Sequence, residues 1–132
     1  FMRYGVMHRN TFLDSPRLLD ATYALRADPR IRFAGQMTGV EGYIESTASG
    51  WAAGVAAACE TQGRPMPALD RQTAVGALAC YISDHTVTKF QPMNINFGII
   101  EPLGYKIKGK REKNLKISER ALAKIDSLKG EL

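Results

Sequence analysis

The run from Phe33 to Gly50, "FAGQMTGVEGYIESTASG", constrains the fold more than any other part of the chain. It packs four glycines, with acids at Glu41 and Glu45, into eighteen residues. An apolar run that reads as a strand precedes it and a helical pattern follows. Gly35 ends the expected strand, and Gly39 and Gly42 flank the expected helix start, so nothing bulky stands between the backbone and whatever faces it. Free N–H groups at a helix N-terminus suit a phosphate or an electron-rich ring edge. Glu41 and Glu45 would repel a bare phosphate, which favours the ribityl or ring part of a cofactor. A plain tight turn in an α/β domain explains the same pattern, and both readings stand on residues alone. No G-x-G-x-x-G fingerprint occurs, so the chain does not contain a whole dinucleotide-binding domain.

The remaining pattern is a mixture of short strands and about three helices, an α/β class. "TYAL" and "IRFAG" read as strands, with "RADPR" as the turn between them. A helix is expected over residues 41–59, where Ser46, Gly50 and Gly54 form a small-residue face suited to close approach of another element. "TQGRPMP" ends it. A second helix is expected from an Asp70 cap to Ile82, with Ala74, Val75, Leu78 and Ile82 on one face. "HTVTKFQPMNINFGIIEPLG" has no helical period and reads as ordered but irregular. A last helix over residues 109–128 places Leu115, Leu122, Ile125 and Leu128 on one side and lysines on the other.

At 132 residues the chain is long enough for one domain. It opens on Phe1 inside what reads as a structured run, with no signal peptide and no apolar stretch long enough to span a membrane, which suggests a piece of a longer soluble protein. Cys59 and Cys80 lack metal-ligand spacing and read as small buried apolar residues in a reducing cytoplasm. The net charge of +5 is concentrated. Between Lys106 and Lys116, "KIKGKREKNLK" sets six basic residues against Glu112. Such a patch is either a solvated helix face or a surface for phosphate backbones. In "FQPMNINFG", Gln91, Asn94 and Asn96 alternate with apolar anchors, as in a wall for a flat ligand or flipped base, or in a loop whose amides satisfy its own backbone. His85 reads as a loop histidine, and Asn10 and Thr11 as backbone caps.

Three stretches in this order, "GVMHRNTFLDSPRLL", "FAGQMTGVEGYIESTASGWAAGVAAA" and "FQPMNINFGIIEPL", resemble the C-terminal part of the TrmFO family, the folate- and FAD-dependent tRNA uracil-5-methyltransferases. The second stretch is shared with the larger GidA proteins; the first and third favour TrmFO. The resemblance implies the closing end of a Rossmann-type FAD-binding domain, with residues 1–60 as its strand-helix segment and residues 61–132 as a helical and loop segment carrying the basic patch. It implies FAD contacts at Gly35, Gln36, Gly39, Val40, Glu41, Gly42 and Tyr43, and stacking on flavin or folate by His8 with Arg9 beside it. RNA contacts are implied at Lys106, Lys108, Lys110, Arg111 and Lys113. NAD(P)H and methylenetetrahydrofolate are the implied co-substrates, tRNA the implied partner, and the catalytic cysteines are expected upstream. Methylation of rRNA by the same chemistry, a non-catalytic FAD/RNA-binding domain and a GidA-type wobble modifier are the alternatives. Alone, the chain is expected to be inactive and to self-associate through apolar surface that the rest of the parent covers.

Overall fold

The computed structural model describes residues 11–130. Its elements are α1 (Ser15–Leu18), β1 (Ala24–Leu25), β2 (Asp28–Arg32), a 3-10 turn (Gly35–Thr38), α2 (Tyr43–Thr61), α3 (Ala74–Ser83) and α4 (Lys110–Leu128). Among the described residues this is a helical assembly with one two-stranded antiparallel sheet, compatible with an α/β class.

Pro16 sits in the first turn of α1, where a missing N–H costs nothing. The hairpin is tighter than the sequence suggests: Leu25 pairs with Asp28, so only Arg26 and Ala27 form the turn and Pro29 lies inside β2. A two-stranded sheet has only edges, and an edge tolerates a residue that cannot donate. Just before it, the Asp20 carboxylate accepts from the Thr22 N–H at 2.8 Å, the Thr22 hydroxyl at 2.7 Å and the Ala24 N–H at 3.1 Å. That knot holds Tyr23 at a φ of 64°, a left-handed conformation unusual for an aromatic residue. Its ring is buried, and its hydroxyl has no hydrogen-bond partner among the described residues.

The core lies where α2 and α3 meet Leu19, Tyr23 and Val40. Helix α2 buries Ser49, Ala52, Ala53, Ala56 and Cys59, a helical stripe whose small side chains admit α3 closely. Gly50 and Gly54 have open space before them instead, so the face on which they lie approaches no other described element. The packing stripe is rotated from the one expected because the alanines, not the glycines, meet α3. Helix α2 ends in a Schellman arrangement, with the Gly63 N–H bonded to the Glu60 carbonyl and the Arg64 N–H to the Cys59 carbonyl. Helix α3 starts three residues later than expected. Thr73 is its cap, accepting from the Gly76 N–H at 3.0 Å, while Asp70 caps the preceding turn through the Gln72 N–H.

Helix α4 also turns differently. Ile117 and Leu128 are its buried residues, and Leu115 and Leu122 are 56% and 66% exposed. At 100° per residue, Ile117 and Leu128 fall on one line and Leu115 lies nearly opposite. Polar ties fix that choice: Arg120 donates to the carbonyls of Glu101 and Pro102, and Lys124 pairs with Asp70 at 3.5 Å.

Burial, with a smaller contribution from Cys80, holds the Tyr23 phenol above its ordinary ionisation range. The folded chain therefore retains a proton that the unfolded chain releases above about pH 10, and stability falls as pH rises past that point. Tyr23→Phe is expected to unfold at equal or higher urea concentration, by up to about 1 kcal/mol, because it deletes a buried hydroxyl with no partner among the described residues. It should also flatten the alkaline decline in urea midpoints measured between neutral pH and about pH 11.

Candidate functional site

The glycine-rich loop is built by hydrogen bonds from α2 back onto it. The Gly35 N–H donates to Ser49 Oγ at 2.7 Å, and the Ser49 hydroxyl donates to the Ser46 carbonyl at 2.7 Å. The Ser46 hydroxyl donates to the Val40 carbonyl at 3.2 Å, and the Thr38 hydroxyl to the Gly35 carbonyl at 2.7 Å. The second half of the site comes from fifty residues later. Residues 39–41 and Met93 form a parallel bridge: the Met93 N–H donates to the Gly39 carbonyl and the Glu41 N–H to the Met93 carbonyl, both at 3.0 Å. The Tyr81 hydroxyl donates to the Gln91 carbonyl at 2.9 Å, fastening the same segment to α3.

Two glycines make this junction possible. Gly39, at a φ of 85°, lies under the Phe90 ring, where an added Cβ would come within 2.4 Å of Cζ. Phe90 in turn meets Phe12 edge-on at 6.1 Å and Tyr81 at 5.5 Å. Gly42, at a φ of 94°, is the N-cap of α2 and makes no side-chain cap bond. An added Cβ there would fall 2.2 Å from Glu45 Oε2 and 2.8 Å from Asn94 Nδ2. Glu45 is in the first turn of α2 and its Oε1 accepts from the Ile95 N–H at 3.4 Å, a long bond.

The result is a cleft of about 340 Å³ lined by Gln36, Glu41, Gly42, Tyr43, Ser46 and Asn94. Four of the residues expected at a cofactor therefore share one wall: Gln36, Glu41, Gly42 and Tyr43. Of the other three, Gly35 is tied to Ser49, Gly39 is covered by Phe90 and the Val40 side chain is wholly buried in the core. His8 and Arg9 lie outside the described residues. Within "FQPMNINFG" the amides divide their work. Asn96 accepts from the Gly98 N–H at 2.9 Å and so serves its own backbone, whereas Asn94 faces the cleft. Sequence reasoning missed the roles of Ser46 and Ser49; hydroxyls three residues apart in the opening turns of a helix after a glycine-rich loop were the available signal.

Chemically, the cleft offers an amide at Asn94, another at Gln36, a carboxylate at Glu41, a hydroxyl at Ser46, and the first turn of α2, whose N-cap makes no side-chain bond. That set suits hydroxyls and ring heteroatoms better than a bare phosphate. A volume of 340 Å³ lies at the small end for ligand sites, room for one ring system and not for a whole dinucleotide cofactor. Beside it, Tyr43 and Ile44 are 96% and 82% exposed, and with Trp51 they border an adjoining apolar hollow.

The basic residues form a second surface. Lys106, Lys108, Lys110, Arg111 and Lys113 are all exposed, and no ion pair engages them among the described residues. Lys110, Arg111 and Lys113 stand in the first turn of α4, where the helix dipole disfavours cations. Lys108 and Arg111 border an open trough of about 630 Å³ with Glu112, Asn114, Leu115 and Ser118. No group of three or more His, Cys, Asp or Glu side chains suited to a metal ion occurs among the described residues, and no described helix is long and apolar enough to cross a membrane.

The family profile described as "Glucose inhibited division protein A" matches residues 1–65. Over nearly the whole chain, the sequence is 55% identical to the methylenetetrahydrofolate–tRNA-(uracil-5-)-methyltransferase TrmFO of Acetivibrio thermocellus, across 92% of this chain and 28% of that protein. The chain is similar to TrmFO proteins along nearly its whole length. TrmFO of Desulfitobacterium hafniense is 52% identical across 98% of the chain, and that of Listeria monocytogenes 51% across 99%, each over 30% of the relative. The chain thus spans about three-tenths of the length of the TrmFO proteins it matches.

Gly39→Ala is expected to destabilise the chain by about 2 kcal/mol, from both the left-handed backbone and the clash with Phe90. Phe90→Leu in the same chain should restore only part of that loss, because it relieves the clash and leaves the backbone strain. Urea unfolding of the two single variants and the double variant reads the coupling.

Proposed function

We propose that this chain is the closing half of an FAD site in a folate- and FAD-dependent tRNA uracil-5-methyltransferase. The observation that carries the reading is the union of two things. Identity to TrmFO proteins holds at 50–55% along nearly the whole chain, and four of the seven residues that the family pattern assigns to the flavin line one cleft at the start of α2. In this reading residues 1–60 close the flavin fold and residues 61–132 supply the 90–96 wall and the RNA surface.

FAD, held by the cleft residues and the other part of the parent, would supply the redox chemistry by which the one-carbon unit of methylenetetrahydrofolate becomes a methyl group on C5 of the uridine, with NAD(P)H as the reductant. The chain's own residues bind and orient. Gln36 and Asn94 donate and accept hydrogen bonds from opposite sides of the cleft, and Glu41 accepts from hydroxyls. The N–H groups of Tyr43 and Ile44 point along α2 toward an electron-rich edge. Gly42 leaves room for the Glu45 carboxylate and the Asn94 amide to close over the start of α2. His8 and Arg9 stack on and pair with the folate or flavin, and Lys106, Lys108, Lys110, Arg111 and Lys113 hold tRNA phosphates in the cytoplasm. The pyrophosphate grip and the nucleophilic cysteines belong to the other part of the parent, so the chain by itself transfers no methyl group.

The exposed face of α2 follows from the same reading. Tyr43, Ile44 and Trp51 are the surface that the other part of the parent covers. Sedimentation velocity of the chain alone should show self-association that Ile44→Glu reduces without loss of helical circular dichroism.

The deciding test is titration of FAD into the purified chain, followed by flavin fluorescence and calorimetric heat. No binding is expected alone, with binding restored when the N-terminal part of a TrmFO relative is added. Tight binding by the chain alone would overturn the half-site; no binding in either mixture would overturn the flavin reading itself.

A further inference from the structure

Tyr105 is the one aromatic side chain in the stretch that leads into the basic helix, and it is 62% exposed. Its hydroxyl makes no hydrogen bond to any described residue. The stretch carrying it is not loose. The Glu101 N–H donates to the Arg71 carbonyl at 2.8 Å, and the Arg120 guanidinium grips the carbonyls of Glu101 and Pro102, the latter at 3.1 Å. Tyr105 therefore projects a few residues beyond a clamp made by α4 itself. Its place beside that helix is also felt at Lys116, held above the ordinary lysine range first by its hydrogen bond to Glu119 and then by Glu119's charge, Tyr105 and Glu112. Lys106 follows it directly in the chain, and Lys108, Lys110, Arg111 and Lys113 come next, with no carboxylate partner among the described residues. A water-exposed aromatic ring followed in the chain by exposed cations that have no ion-pair partner among the described residues has the make-up of a single-stranded nucleic-acid groove, where rings stack bases and cations track phosphates.

We propose that Tyr105 is a stacking platform for an unpaired RNA base, set at the head of the phosphate track formed by Lys106, Lys108, Lys110, Arg111 and Lys113. This rests on the RNA-binding reading of the basic surface and adds to it a preference for single-stranded over duplex RNA. The lysines alone would hold both forms through charge. The ring distinguishes them, because a base is available for stacking only when it is out of the helix.

Fluorescence anisotropy of the chain with a labelled oligouridylate of about twelve nucleotides and with a duplex of equal length, over a range of salt, tests this. Tyr105→Ala is expected to weaken single-strand binding roughly ten-fold, with the duplex affinity changed less than about two-fold and the salt slope unaltered. Tyr105→Trp should retain the preference. The triple variant K110A/R111A/K113A should weaken both RNAs and lower the single-strand salt slope by about two. If the triple variant weakens binding and Tyr105→Ala does not, or if Tyr105→Ala weakens both RNAs equally, the stacking platform is wrong and the phosphate track stands. If neither variant matters, or polyglutamate binds to the same surface as tightly as RNA, both are wrong. Circular dichroism establishes that each variant keeps its helices.

Discussion

The two hydrogen bonds between residues 39–41 and Met93 hold the molecule's functional face together. They are backbone bonds, so they fix position whatever the side chains are, and they join pieces of chain fifty residues apart. Everything in the cleft depends on them: Asn94 faces Gly42 only because Met93 is pinned beside Val40. Phe90 closes over Gly39 for the same reason, and Tyr81 anchors the segment from below through the Gln91 carbonyl. An irregular segment with no helix or strand of its own thereby acquires the rigidity of the elements it touches.

The division between small and large residues organises the rest. Helix α2 turns its serines and alanines inward, which lets α3 approach and lets hydroxyls reach loop carbonyls. Its large residues, Tyr43, Ile44 and Trp51, are turned outward. That inversion of the usual pattern leaves α2 with a large apolar face that no described element covers. Helix α4 shows a milder form. Ile117, Arg120 and Lys124 face the rest of the chain through one apolar and two polar contacts, and Leu115 and Leu122 are left in solvent.

How much of this was legible in the sequence follows from which forces act locally. The ends of α2 were readable, because glycine and proline punctuate a chain through their own geometry. So was the irregular course of residues 85–104, where no helical period exists. The resemblance carried the family, and the chain's identity to TrmFO proteins bears it out. The start of α3 was misplaced because Asp70 and Thr73 are both good caps, and only the fold decides which one faces a helix. The face of α4 was misread because periodicity reports where leucines align and not which line has a partner. The hairpin turn was drawn too long because proline was taken as a turn residue and not as an edge-strand residue. The parallel bridge to Met93 was beyond reach, since a single backbone pairing across fifty residues leaves no pattern in either segment.

The missing side-chain cap at Gly42 has a thermodynamic consequence. A helix whose N-cap residue supplies no side-chain acceptor would be stabilised by a molecule that accepts from its first N–H groups. Ligand affinity at this cleft and the fraying of α2 are then two measures of one equilibrium. Since α2 also carries the alanine stripe on which α3 rests, a ligand in this small cleft would steady the helix on which the core is built.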